Sequence, residues 1–147
     1  RLFLKDYQKH SAELSEPYPG VVTTLTKLKE AGFEMGVCTN KPQEASERLL
    51  ETLKLSQFFS KIAGGDYYAV RKPNKHHLLQ LIDDLNGNPE KTLMIGDNEH
   101  DAAMARAGLV YFIFCTYGYS RLPINEIIYN ESISSFSDIV NLKALNK

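Results

Sequence analysis

From residue 21 onward the chain alternates two patterns, apolar residues at helical spacing and short runs that are apolar almost throughout. VVTTLTKLKEAG sets Val21, Leu25 and Leu28 on one face and closes at Gly32, a helix-stop signal. FEMGVCTN, residues 33–40, then reads as a strand, and Pro42 opens a helix whose apolar face is Ala45, Leu49 and Leu53. KIAGGD is a brief strand ending in glycines. KHHLLQLIDDLNG gathers Leu78, Leu79, Ile82 and Leu85 on one side of a helix that stops at Gly87. TLMIGD predicts the next strand, HDAAMARAG a helix of small residues closing at Gly108, and VYFIFCTYG another strand. SSFSDIVNLKALN predicts a last helix behind a serine N-cap.

Continuously apolar strands alternating with amphipathic helices are the pattern of a parallel sheet covered on both faces, so the predicted class is α/β. Ligands of such sheets gather beyond the carboxyl ends of the strands. The residues to inspect are therefore Thr39 and Asn40, then Gly64 to Asp66 with Lys72 soon after, then Gly96 to Asp101, then Thr116 to Tyr119. Residues 1–20 differ. RLFLKDYQKHSAEL carries an apolar stripe at Leu2, Phe3, Tyr7 and Leu14 that predicts a helix, and SEPYPG reads as a connector. Residues 1–16 are thus set apart from a core spanning 17–147.

The length of 147 residues is that of one domain, and 43% hydrophobic residues suffices for a core. Seventeen Lys and Arg against eighteen Asp and Glu leave a formal charge of -1, which argues against nucleic acid and against an anionic membrane. The expected partner is a small molecule. Cys38 and Cys115 sit in apolar strand-like runs without metal or disulfide spacing and are expected as buried free thiols. No apolar run approaches the ~20 residues of a membrane span, and no signal-peptide pattern opens the chain; the expected location is the cytoplasm. The first residue is Arg1, which points to part of a longer gene product.

The chemistry concentrates in MIGDNEHD. Asp97 and Asp101 lie four residues apart after a strand, and their repulsion must be balanced by a cation, a basic side chain or water. Two hard oxygen donors at a strand end suit Mg²⁺, which takes one or two carboxylates and completes its shell with waters and phosphate oxygens. The alternative is that Asp97 caps the following helix while Asp101 is a solvated first-turn acid. Thr39 and Asn40, just before the helix at Pro42, offer an anion cradle or ordinary capping. Lys72 could meet a phosphate or a carboxylate. His10, His76, His77 and His100 show no metal or triad spacing and are read as surface or helix-end residues. Tyr67, Tyr68, Tyr117 and Tyr119 are read as packing or rim residues.

A hydroxyl after one strand, a lysine before a helix and GDNEHD after a later strand resemble the second, third and fourth motifs of the haloacid dehalogenase-like (HAD) hydrolases. YPGV, CTNKP, GGD, RKP, IGDNEHDAAMARAG and TYGY resemble the phosphoglycolate phosphatase branch more narrowly. The resemblance implies an Mg²⁺-dependent phosphatase for a small phosphorylated metabolite such as 2-phosphoglycolate, working through an aspartyl-phosphate. It implies that Thr39, Asn40 and Lys72 hold the phosphate, with Lys72 also on the nucleophile. It implies that Asp97 binds the metal directly and Asp101 directly or through water. Such chemistry needs little beyond positioning and charge neutralisation.

One departure is large. The family's first motif, Asp, any residue, then Asp followed by Gly and Thr, occurs nowhere, since none of Asp6, Asp66, Asp83, Asp84, Asp97, Asp101 and Asp138 stands in a D-x-D pair. The expectation is a HAD-like Rossmannoid sheet lacking its first, central strand and most of its cap domain. Residues 1–16 would be the remnant of the helical cap, and 17–147 an incomplete core. The nucleophile would lie outside the chain, which alone would be inactive, and self-association would cover the incomplete sheet. The competing reading is a non-catalytic remnant that binds Mg²⁺ or phosphate or associates with another chain. A phosphoacceptor receiver fits poorly, because its acidic residues precede its lysine, and no nucleotide-binding glycine motif is present.

Overall fold

The computed structural model describes residues 2–5, 20–116 and 126–142. Its elements in chain order are β1 (Leu2–Lys5), α1 (Val21–Glu30), β2 (Glu34–Cys38), α2 (Gln43–Thr52), β3 (Lys61–Ala63), α3 (Lys75–Asp84), β4 (Thr92–Gly96), α4 (Glu99–Ala107), β5 (Tyr111–Cys115) and β6 (Glu131–Ile133), with a 3-10 helix over Phe136–Asn141. The strands form one sheet in the order β3-β2-β1-β4-β5-β6. Every neighbouring pair runs parallel.

Period-two alternation along the strands explains how both faces are buried. On one face Met35 and Val37 of β2, Leu93 and Ile95 of β4, and Ile113 and Cys115 of β5 pack with α1, α2 and the 3-10 helix. On the other, Cys38, Met94, Phe112 and Phe114 pack with α3 and α4. Cys38 and Cys115 are buried and form no disulfide, as expected. The α/β class and the parallel sheet clothed on both faces hold.

The amino-terminal expectation is corrected. Leu2–Lys5 is a strand, not part of a helix, and it occupies the centre of the sheet. Leu2 to Lys5 register against Glu34 to Val37 on one side and against Thr92 to Ile95 on the other. The physical reason is the cost of the alternative: without β1, the facing edges of β2 and β4 would leave rows of unpaired N–H and C=O groups inside the molecule. The open central slot is therefore absent, and with it the need for a second copy of the chain to fill it. The rest of the cap-remnant reading, residues 6–16, lies outside the described residues.

Two further differences concern the carboxyl-terminal part. Glu131–Ile133 forms an edge strand that the sequence pattern did not suggest, and the last helix is a 3-10 helix whose Ser135 N-cap makes no side-chain capping hydrogen bond. Strand order reverses at β1, with β2 and β3 laid to one side and β4 to β6 to the other. Such a switch point opens a crevice at the carboxyl ends of the strands that flank it. Thr39 follows β2 and Asp97 follows β4, so both emerge at this rim.

Candidate active site

The rim is organised by a buried ion pair. Lys72 Nζ lies 2.7 Å from Asp101 Oδ1, and the two side chains are 4% and 0% exposed. Lys72 comes from the loop between β3 and α3, and Asp101 from the first turn of α4. The second carboxylate oxygen of Asp101 accepts the N–H of Asp97 at 3.2 Å. The charge of Asp101 is therefore balanced by a basic side chain and a main-chain donor, in a place where an unpaired carboxylate would be costly. Gly96 makes this approach feasible. A Cβ there would stand 2.5 Å from Cβ and Cγ of Asp101, so any larger residue would push α4 away from β4.

The cap of α4 is Asn98, not Asp97. Asn98 Oδ1 accepts the N–H groups of His100 at 2.9 Å and Asp101 at 3.0 Å. Asp97 is left half-buried at the end of β4, without the capping role. The expectation of Asp101 as a solvated acid fails, because it is fully buried.

Thr39 is buried, its N–H continues the β2–β3 pairing to Ala63 O at 3.1 Å, and its hydroxyl accepts the N–H of Lys41 at 3.1 Å. Asn40 Oδ1 accepts the N–H of Lys72 at 2.9 Å, and its Nδ2 donates to the carbonyl of Lys72 at 3.2 Å. The side chain expected on phosphate thus holds the main chain of the lysine expected beside it. The start of α2 is likewise engaged, since Asp66 Oδ1 accepts the N–H of Gln43 at 2.7 Å. Gln43 completes the tie, its Nε2 donating to Ile62 O at 2.7 Å and its Oε1 accepting from Gly64 N–H.

Sequence reasoning missed Gln43 and the structural parts played by Asp66 and His77. His77 is fully buried, with Nε2 3.2 Å from the carbonyl of Ala63 and the Tyr68 ring edge-on at 5.7 Å between centroids. Its position four residues before Leu81, on the buried face of α3, was the available signal. Tyr68 in turn donates to Asp84, and burial together with that bond pushes its phenol well above the usual range. Thr116 faces β6 instead of the site, bonding to Ile133 O. Tyr117, Tyr119 and His10 lie outside the described residues.

Among the described residues no group of three His, Cys, Asp or Glu could hold a metal ion. The donor set nevertheless fits Mg²⁺ in kind: Asp97 presents a hard carboxylate at a strand end, and a site that keeps waters and phosphate oxygens needs only one or two such groups. No helix among them is long and apolar enough to cross a membrane.

Comparison with known proteins places this arrangement in a family. Residues 1–115 match the model of the haloacid dehalogenase-like hydrolases. A phosphoglycolate phosphatase of Agrobacterium fabrum is 36% identical over 135 residues, 92% of this chain and 58% of that protein. One of Aquifex aeolicus is 33% identical over 141 residues, 96% of this chain and 65% of that protein. A crystal structure described as a predicted phosphoglycolate phosphatase from Haemophilus somnus superposes with a TM-score of 0.81 at 29% identity, over 84% of this chain and 56% of that one. The chain spans about three fifths of the length of these curated relatives. Because this family model covers most of the sequence and the sheet is of the same class, the chain belongs to the haloacid dehalogenase-like hydrolases.

Proposed function

We propose that the chain carries the phosphate- and cation-binding part of an Mg²⁺-dependent phosphate monoester hydrolase. It resembles the phosphoglycolate phosphatases and would act on a small phosphorylated metabolite in the cytoplasm. The observation that supports this most is the buried Lys72–Asp101 pair at the rim that also carries Thr39 and Asp97. An ammonium fixed by a buried carboxylate is a pre-oriented donor for a phosphoryl oxygen and needs no reorganisation when the anion arrives. The Thr39 hydroxyl and the Asn40 segment supply further contacts to the phosphoryl group. Asp97 would hold Mg²⁺ directly, and Asp101, committed to Lys72, would meet it through water. The metal, when bound, would neutralise charge on the phosphoryl oxygens.

The reaction proceeds through an aspartyl-phosphate, which divides hydrolysis into two easier steps. The 147 residues hold no D-x-D pair. The attacking carboxylate is therefore assigned to a segment outside them, and the 147-residue polypeptide alone is expected to bind without turnover. The test is a panel of phosphate monoesters, 2-phosphoglycolate included, assayed with Mg²⁺ and with EDTA. Mg²⁺-dependent phosphate binding with no ester hydrolysis is the expected result. Mg²⁺-dependent turnover lost on Asp97→Asn would overturn the external nucleophile, and absence of any Mg²⁺-dependent phosphate binding would overturn the site.

A further inference from the structure

We propose that Asn40 is a positioning residue: its amide takes the place of a peptide group beside the main chain of Lys72 and so fixes where the ammonium stands. The proposal deepens the phosphatase reading and rests on it for its significance, though not for its geometry. An amide side chain has the same donor and acceptor as a peptide unit. Here both are used on one residue, Oδ1 accepting from Lys72 N–H at 2.9 Å and Nδ2 donating to Lys72 C=O at 3.2 Å. This is the pairing a neighbouring strand would give, made to an otherwise irregular loop.

The loop needs such a hold. Residues 64–74 carry Lys72 between β3 and α3, and Lys72 must deliver its amine 2.7 Å from a carboxylate that is itself sealed in the core. A lysine stem has many rotamers to choose among, and a moving main chain would add to that freedom. The attachment is reinforced along residues 40–43: Gly65 N–H donates to Lys41 O at 2.8 Å, and Asp66 accepts from Gln43 N–H. Gly65 is required for the close approach, because a Cβ there would stand 2.9 Å from the carbonyl carbon of Asn40. The two loops are thus built to meet at Asn40, whose side chain then reaches Lys72.

The experiment reads Lys72 directly, without substrate. In the 147-residue protein, amide hydrogen exchange at Lys72 is followed by NMR, and acylation of its amine by acetic anhydride is followed by mass spectrometry. Asn40→Ala is expected to speed both by about tenfold, the loss of roughly one to two hydrogen bonds, while exchange at Ile95 in β4 stays unchanged. Asn40→Asp, which keeps an acceptor for the Lys72 N–H, is expected to restore slow amide exchange, a recovery that a merely space-filling role would not give. Wild-type exchange or wild-type acylation in Asn40→Ala would overturn the proposal. Orthophosphate titration of Lys72→Met is run in parallel. Unchanged affinity there would count against the phosphatase reading alone, since exchange and acylation still decide the role of Asn40.

Discussion

Lys72 and Asp101, 29 residues apart in sequence, meet as a 2.7 Å ion pair from which solvent is all but excluded. Removing one partner of such a pair leaves the other charged and buried, at a cost of about 3–5 kcal/mol, whereas replacing both by apolar residues of similar volume is often close to neutral. Lys72→Met and Asp101→Leu are each expected to lower the unfolding free energy by about 3 kcal/mol, and the double variant to recover most of the loss. Urea denaturation of the four proteins checks this, and additive losses in the double variant would show that the two residues do not act as a pair.

Asn98 satisfies two N–H groups at the start of α4, the helix that carries Asp101. Asn98→Ala is expected to cost about 1 kcal/mol, the ordinary worth of an N-cap, and Asn98→Asp or Asn98→Ser to cost much less. Asp97→Ala leaves this cap in place and is expected to cost less than Asn98→Ala. Thermal or urea unfolding compares substitutions at the two positions, and a larger loss at Asp97 than at Asn98 would return the capping role to Asp97.

Much of the frame was legible in the chain because periodicity is local. Val21, Leu25 and Leu28, or Leu78 and Ile82, mark a helix face within a few residues, and the unbroken apolar runs of β4 and β5 mark doubly buried strands. The larger failures are non-local. Leu2 and Phe3 fit a helical stripe with Tyr7 and Leu14 as well as they fit a strand, and only the edges of β2 and β4 decide between them. Glu131–Ile133 places a single buried side chain, Ile133, on the sheet, too little for a period to show. Thr39, Lys72, Asp97 and Asp101 could be singled out by type and position. Which of them would share a charge could not, because the loop that brings Lys72 to Asp101 is fixed by Asn40, Gln43 and Asp66, and nothing in the local sequence pairs those residues.

The tie between β5 and β6 carries its own pH dependence. Tyr111 donates to Glu131, and burial first, then that bond, push its phenol up to about 12 from its ordinary 10.0. A raised folded value favours the neutral phenol in the native state. The stability it contributes is therefore fully present below pH 10 and is lost as pH rises from there through about 12. Tyr111→Phe is expected to flatten the fall of unfolding free energy across this window without abolishing it, since the Tyr68 phenol is also raised. Unfolding curves collected between those pH values check the slope, and an unchanged slope in Tyr111→Phe would remove Tyr111 as a contributor.

The central claim is that Asp97 and Lys72 together make a metal-assisted phosphate site, and calorimetric titration of the 147-residue protein with orthophosphate tests it most directly. With Mg²⁺ present, binding is expected; with EDTA in place of the metal, or in Asp97→Asn or Lys72→Met with the metal present, affinity is expected to fall by about tenfold or more, the scale of a lost charge-assisted contact. Equal affinity with and without Mg²⁺, or in wild type and Asp97→Asn, would contradict it.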